Sequence, residues 1–183
     1  MLYDHDTMRV ASAWSGEGFV DWKGIAFDGS HGSHTSIIGD QTVTNPVGPG
    51  WAEPASGSWD DPRPLGRDGK PFGPLPRAWT HYQGIYQHGT RVVVSYTVGT
   101  TAVLDSPGLI AYGASPVFVR TLNVGPSTAP LTMRIAPDQG SVAISLHGEG
   151  ASLQKNEGFT CLQLPPSTRP RQLRIFMTRL DAA

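Results

Sequence analysis

The sequence predicts an all-β fold, an antiparallel β-sandwich or partly closed barrel, on three observations. Short runs alternate apolar and polar residues with period two and are rich in Val, Ile, Thr and aromatics. Gly, Pro, Asn or Asp bounds each run, and the runs recur at roughly 8–15 residues, as in sandwiches and barrels. The chain of 183 residues holds 22 Gly and 16 Pro, too many turn formers for a helical bundle, yet its 38% of hydrophobic residues can fill one core. One domain of ordinary size follows from that length.

Near the N-terminus, residues 6–14 (Asp6-Thr-Met-Arg-Val-Ala-Ser-Ala-Trp14) are the only stretch read as a helical turn or two, with Asp6 or Thr7 as N-cap. Residues 45–76 carry Gly or Pro at 14 of 32 positions, half of all the prolines among them. Proline lacks the ladder donor, so this segment is a long loop outside any central strand. Its Trp51, Trp59 and Phe72 have no place in a flexible linker and predict an ordered, aromatic-pinned loop crossing the sheet. Strands follow at Arg91–Val98, with Ala102–Leu104 as hairpin partner beyond Gly99, then at Pro116–Asn123, Leu131–Ala136 and Ser141–His147. Ala151–Leu153, Gly158–Leu164 and Arg171–Arg179 complete the set, the last with Leu173, Ile175 and Met177 on one face. Val93, Phe118 and Ile175 are expected in the core, and no internal repeat is apparent.

A formal charge of −1 and the lack of any Lys/Arg tract remove nucleic acid and anionic membranes as main partners. No stretch of about 18 apolar residues occurs, so no membrane-spanning helix is expected. The N-terminus has acids and no apolar core, unlike a signal peptide. Cys161 is alone in an apolar alternation, which favours a small buried strand residue over a nucleophile.

Three groups of residues have chemistry to offer. Asp28, His31 and His34 lie three apart among glycines, and a tight loop would gather them as ligands for Zn, Fe or Cu, with His81 or His88 completing the set. The plainer reading is a polar turn bonded to its own backbone. Asp4/Asp6 and Asp60/Asp61 are acid pairs without the calcium-loop pattern, better suited to capping or solvation. Tyr82, Tyr86 and Trp79 lie beside His81 and His88 and could stack a sugar or dock a partner, with Trp51 and Trp59 as further stacking platforms, or else form a buried aromatic layer. No nucleophile elbow, phosphate loop, dinucleotide fingerprint or zinc-protease motif is present, so catalysis by this chain alone is not expected.

Eight motifs in order carry a resemblance: Ala26-Phe-Asp-Gly-Ser-His-Gly-Ser-His34, Gly48-Pro-Gly-Trp51, Asp61-Pro-Arg-Pro64, Gly73-Pro-Leu-Pro-Arg-Ala-Trp79, Tyr86-Gln-His-Gly89, Val94-Ser-Tyr-Thr-Val-Gly99, Leu104-Asp-Ser-Pro-Gly108 and Val119-Arg-Thr-Leu-Asn-Val-Gly-Pro126. From about Asp4 to Phe176 the chain resembles a bacterial domain of unknown function found in large secreted c-type cytochromes and dehydrogenase-like multidomain proteins. The resemblance implies a periplasmic or extracellular module working beside haem, propeller or sugar-related domains, with no catalytic residue to carry over. The chain has no C-x-x-C-H, so no covalent haem is expected within it; His31, His34 and His88 are the residues placed to reach a neighbour's cofactor. A non-catalytic accessory module is therefore the leading expectation, ahead of a metal-binding protein and a carbohydrate-binding domain.

Overall fold

The computed structural model describes residues 1–21, 35–112 and 115–180. Fourteen strands occur among them and no helix. One layer is a six-stranded antiparallel sheet in the order β11 (Val142–His147), β14 (Arg171–Arg179), β9 (Ser115–Val124), β8 (Thr101–Tyr112), β7 (Arg91–Val98), β6 (Thr80–His88). Facing it lie two three-stranded sheets, β1 (Leu2–Asp4), β2 (Arg9–Ser15), β5 (Asp40–Thr44), and β10 (Leu131–Pro137), β13 (Phe159–Leu164), β12 (Ser152–Asn156). A ribbon of β3 (Val20–Asp21) and β4 (Ser36–Ile37) stands apart from both. None of these sheets closes on itself, which selects the sandwich over the barrel.

The period-two pattern explains the layering. Leu173, Ile175 and Met177 of β14, Phe118, Leu122 and Val124 of β9, and Leu131, Met133 and Ile135 of β10 meet in one core. On β7 the inward residues are Val94, Tyr96 and Val98, so Val93 is a half-buried outer-face residue and not the core residue expected. Three consecutive valines leave the phase of that strand open, and register with β8 decides it. Phe118 and Ile175 are buried as expected. β8 runs well past Leu104 because Pro107 falls where the ladder to β7 has ended, after the Val94–Asp105 pair, and its missing donor costs nothing there. Residues 6–14 are not helical. Asp4 accepts bonds from the Asp6 amide (3.0 Å) and the Thr7 hydroxyl (2.8 Å), making a tight turn that leads into β2. Cys161 has no solvent exposure, and burial pushes its thiol up to about 11, so it is an inert core residue.

The proline-rich segment is ordered and fastened at several points. Arg63 clamps Asp61 with two nitrogens (2.9 and 2.7 Å) and donates to the Gly73 carbonyl (3.1 Å), closing the Asp61-Pro-Arg-Pro64 turn. The Trp79 indole N–H donates to the Trp51 carbonyl (2.8 Å). Residues 50–52 also splice the two three-stranded sheets into one layer. The Gly50 amide donates to Thr7, Ala52 to Thr132, and Arg134 to Gly50, all at 2.9 Å.

An internal repeat, hidden in the sequence, emerges from the crossings between layers. Residues 122–135 match 162–175 at seven of fourteen positions: Leu122/Leu162, Pro126/Pro166, Ser127/Ser167, Thr128/Thr168, Pro130/Pro170, Arg134/Arg174 and Ile135/Ile175. Each Pro-Ser-Thr-x-Pro run is an arch between layers, β9 to β10 and β13 to β14. The pairs Val124–Arg171 and Leu131–Leu164 interchange when the arches are swapped. At the centre Ser127 and Ser167 exchange two backbone hydrogen bonds of 2.8 Å. Each serine hydroxyl donates to the carbonyl two residues on, Ala129 at 2.6 Å and Arg169 at 2.9 Å.

A charged pair lies inside the sandwich. Asp105 and Arg120 are 0% and 1% exposed, with Oδ2 and Nη2 2.5 Å apart. The Tyr3 hydroxyl donates to Oδ1 (3.1 Å) and that of Tyr96 to Oδ2 (3.4 Å). Burial opposes the Arg120 charge, but Asp105 together with the Tyr3 and Tyr96 phenols outweighs it and holds the guanidinium protonated. Burial and then the Asp105 charge raise both phenols above their ordinary value. A group whose folded pKa is raised gives stability that is complete below its unfolded pKa, about 10 for Tyr, and is lost as pH rises beyond it. Urea unfolding should therefore show a steep loss of stability above about pH 10, up to about 1.4 kcal/mol per pH unit for each Tyr. Tyr96→Phe should make that decline shallower; an unchanged slope would remove Tyr96 from the linkage.

Candidate functional site

The residues singled out for ligand binding do not converge. Trp51 has no exposed surface, and its ring packs against Tyr96 with centroids 6.3 Å apart, so it is a core residue and offers no stacking face. Trp59 is half-buried, with the Arg134 guanidinium over its ring at 4.0 Å; Phe159 covers that guanidinium from a further 4.5 Å contact. That sandwich pins the loop to β10 and occupies the Trp59 face. Tyr86 and His88 are exposed at the far end of β6, about 23 Å of extended chain from His81. A bulge between Tyr82 and Gly84 puts His81, Tyr86 and His88 on one face of the sheet, opposite Thr97, Val93 and Arg91 of β7. Asp28, His31 and His34 lie outside the described residues. Among the described residues no three His, Cys, Asp or Glu side chains are grouped to hold a metal.

Among the described residues of the set, His81 lies in a cleft with other functional side chains. A depression of about 490 Å³ is lined by His5, Asp6, Leu75, Arg77, His81 and Tyr82, with Pro74 and Thr80. Three segments build it. The turn after β1 supplies His5 and Asp6, the end of the proline-rich loop supplies Leu75 and Arg77, and the start of edge strand β6 supplies the rest. The Leu75 amide donates to the Asp6 carbonyl (2.8 Å), locking loop to turn. His5 Nδ1 sits 2.8 Å from Asp6 Oδ1 and its ring stacks on Tyr82, with centroids 5.7 Å apart. The carboxylate thus fixes the imidazole's orientation, leaving Nε2 as its second polar atom. Tyr82 is 37% exposed, an apolar ring bordered by an arginine, two imidazoles and a carboxylate. Such a wall can hold a flat or ring-shaped polar ligand by contact on one side and hydrogen bonds around its rim. No Ser or Cys stands in it as an activated nucleophile.

A larger groove, about 770 Å³, runs over the twin arches and is lined by Thr100, Pro126, Thr128, Pro166, Thr168 and Arg169 together with both arch serines. Arg169 is its one charge. Its proline rings and hydroxyls offer contact area and hydrogen bonds without acid–base chemistry.

The sequence pointed to His81 and Tyr82 but missed that His5, Asp6 and Arg77 join them. Its available signal was Asp4–Asp6 beside the turn and Tyr82 beside His81, but only the loop's return to the N-terminus joins them. Compared with known proteins, the chain finds no match among curated proteins or among solved structures. One family model, described as a domain of unknown function (DUF6797), matches residues 1–105. The match ends at Asp105 of β8, short of Phe176, where the motif resemblance ends.

Proposed function

The chain belongs to the DUF6797 family, whose matched segment contains every residue of the His5–Tyr82 cleft, and from that premise we propose a non-catalytic binding module that holds a glycan in this cleft. The supporting observation is the convergence of an exposed tyrosine ring with oriented polar side chains from three separate segments, on a frame fastened by backbone bonds. Sugar rings bind through this combination of an apolar face and in-plane donors and acceptors. The motif resemblance supplies the setting of the proposal: an accessory domain of a periplasmic or secreted redox protein, next to haem or propeller domains. The groove over the arches favours a second, compatible role in docking such a neighbour, since its area is proline- and hydroxyl-lined and carries a single charge.

Titration calorimetry against a panel of neutral and acidic oligosaccharides tests the glycan reading. Tyr82→Ala and Arg77→Ala should each weaken binding at least about tenfold, roughly 1.4 kcal/mol, with the unfolding midpoint nearly unchanged because both side chains are solvent-facing. Absence of binding across the panel, or binding indifferent to both substitutions, overturns it.

A further inference from the structure

We propose that the free edge of β6 joins the same edge of a second copy of this chain, making one continuous sheet across a two-fold axis at Ile85. β6 ends the six-stranded sheet, pairing with β7 on one side and with no strand on the other. Beyond the bulge, residues 84–88 run in unbroken register with residues 91–95 of β7. Among the described residues no backbone bond from outside that ladder reaches them. Such a row of open N–H and C=O groups is a template for another strand.

The side chains on that edge suit contact with their own copies. Ile85 shares the inner face of the sheet with its ladder partner Val94, yet it is 61% exposed; Tyr86, on the outer face, is 64% exposed. Antiparallel pairing about the axis sets each Ile85 against its counterpart and lays each Tyr86 ring over Gly84 of the partner subunit. An apolar pair and an aromatic ring covering a glycine are both favourable cross-strand contacts.

Charge selects a second copy as the occupant. Residues near such an axis meet their own kind, so any charge there would face a like charge. Thr80–His88 holds no Lys, Arg, Asp, Glu or Pro. Other edges carry these guards: β1 ends at Asp4, β5 opens with Asp40 and β12 contains Lys155. β11, the opposite edge of the same sheet, is uncharged too, but its Val142, Ile144 and Leu146 are packed against the core. The axis stands normal to the sheet and keeps both inner faces on one side. The His5–Tyr82 clefts of the two copies therefore open the same way, whatever they hold.

Analytical ultracentrifugation of the intact domain at concentrations up to about 1 mM tests the pairing, and a concentration-dependent dimer is expected. Ile85→Lys sets two cations face to face. It should raise the dissociation constant at least about hundredfold, with the urea midpoint nearly unchanged because the side chain is exposed. Leu109→Lys, at a residue of β8 that is 60% exposed, should leave the dimer intact. Ile85→Cys should give a disulfide-linked dimer on mild oxidation, while Cys161 takes no part, being buried with its thiol pushed up to about 11. A monomer throughout the range overturns the proposal and leaves the edge to a strand of another protein. A dimer that Leu109→Lys weakens and Ile85→Lys does not overturns it as well. Failure of Ile85→Cys to cross-link within a dimer overturns the placement of the axis.

Discussion

Arg120→Met should cost about 3–5 kcal/mol of folding stability in urea unfolding, the loss expected when one partner of a fully buried ion pair is removed. The magnitude comes from what is left behind. Asp105 has no exposure, and without the guanidinium its charge is held only by the two phenol hydroxyls. A second substitution separates this from simple loss of packing. Asp105→Asn on the Arg120→Met background removes the stranded charge while keeping an acceptor for Tyr3 and Tyr96, and should recover roughly half of the loss. Full additivity of the two substitutions would show that the groups act independently, and a cost below about 1 kcal/mol for Arg120→Met would show the pair to be dispensable.

Gly50→Ala should destabilise the domain by about 3 kcal/mol or more, with no change in hydrophobicity to account for it. A Cβ at this position would stand 2.3 Å from the Met8 carbonyl oxygen and 2.7 Å from the Arg9 Cα. Both are backbone atoms, in the strip where residues 50–52 join the two three-stranded sheets, so relief requires the sheets to part. Gly108→Ala is the matched control. Its Cβ would meet only Val119, at 3.8 Å and beyond, an ordinary contact, so its cost should stay below about 1 kcal/mol. Comparison of urea midpoints decides the matter, and equal losses at the two glycines would sink the argument from close approach.

Strands with one face on the core and one in water were legible in the sequence, and the others were not. β7, β9, β10 and β14 each press one set of alternate residues inward, so period two survives in the letters. β6 is an edge strand, largely exposed on both faces and interrupted by a bulge, and its run Thr80-His-Tyr-Gln-Gly-Ile-Tyr-Gln-His88 shows no such alternation. β1 and β5 are too short to establish a period. The Asp105–Arg120 pair did leave a signal: each charge occupies an inward position, Asp105 two residues after Val103 and Arg120 between Phe118 and Leu122. Reading charges as outward by default hides it. Residue type alone marks the candidate ligand residues, and type does not report neighbours. Trp51 is in the core because backbone bonds on both sides of it hold the loop against β10, while His81 gains company only because the loop ends at the N-terminal turn.

The twin arches also bear on how the chain reaches this state. Each arch carries the polypeptide from one layer to the other, in opposite directions, and the strands on either side pair with those of the other arch. The β9–β14 seam cannot form early, because β9 finds β14 only after β10 to β13 have been laid down. Formation of that seam is thus a non-local event, with the entropy of closing a long segment paid before it is complete. The same interlacing works in reverse: once closed, the two layers are threaded together by covalent chain at the sandwich end, and neither seam can be peeled away alone.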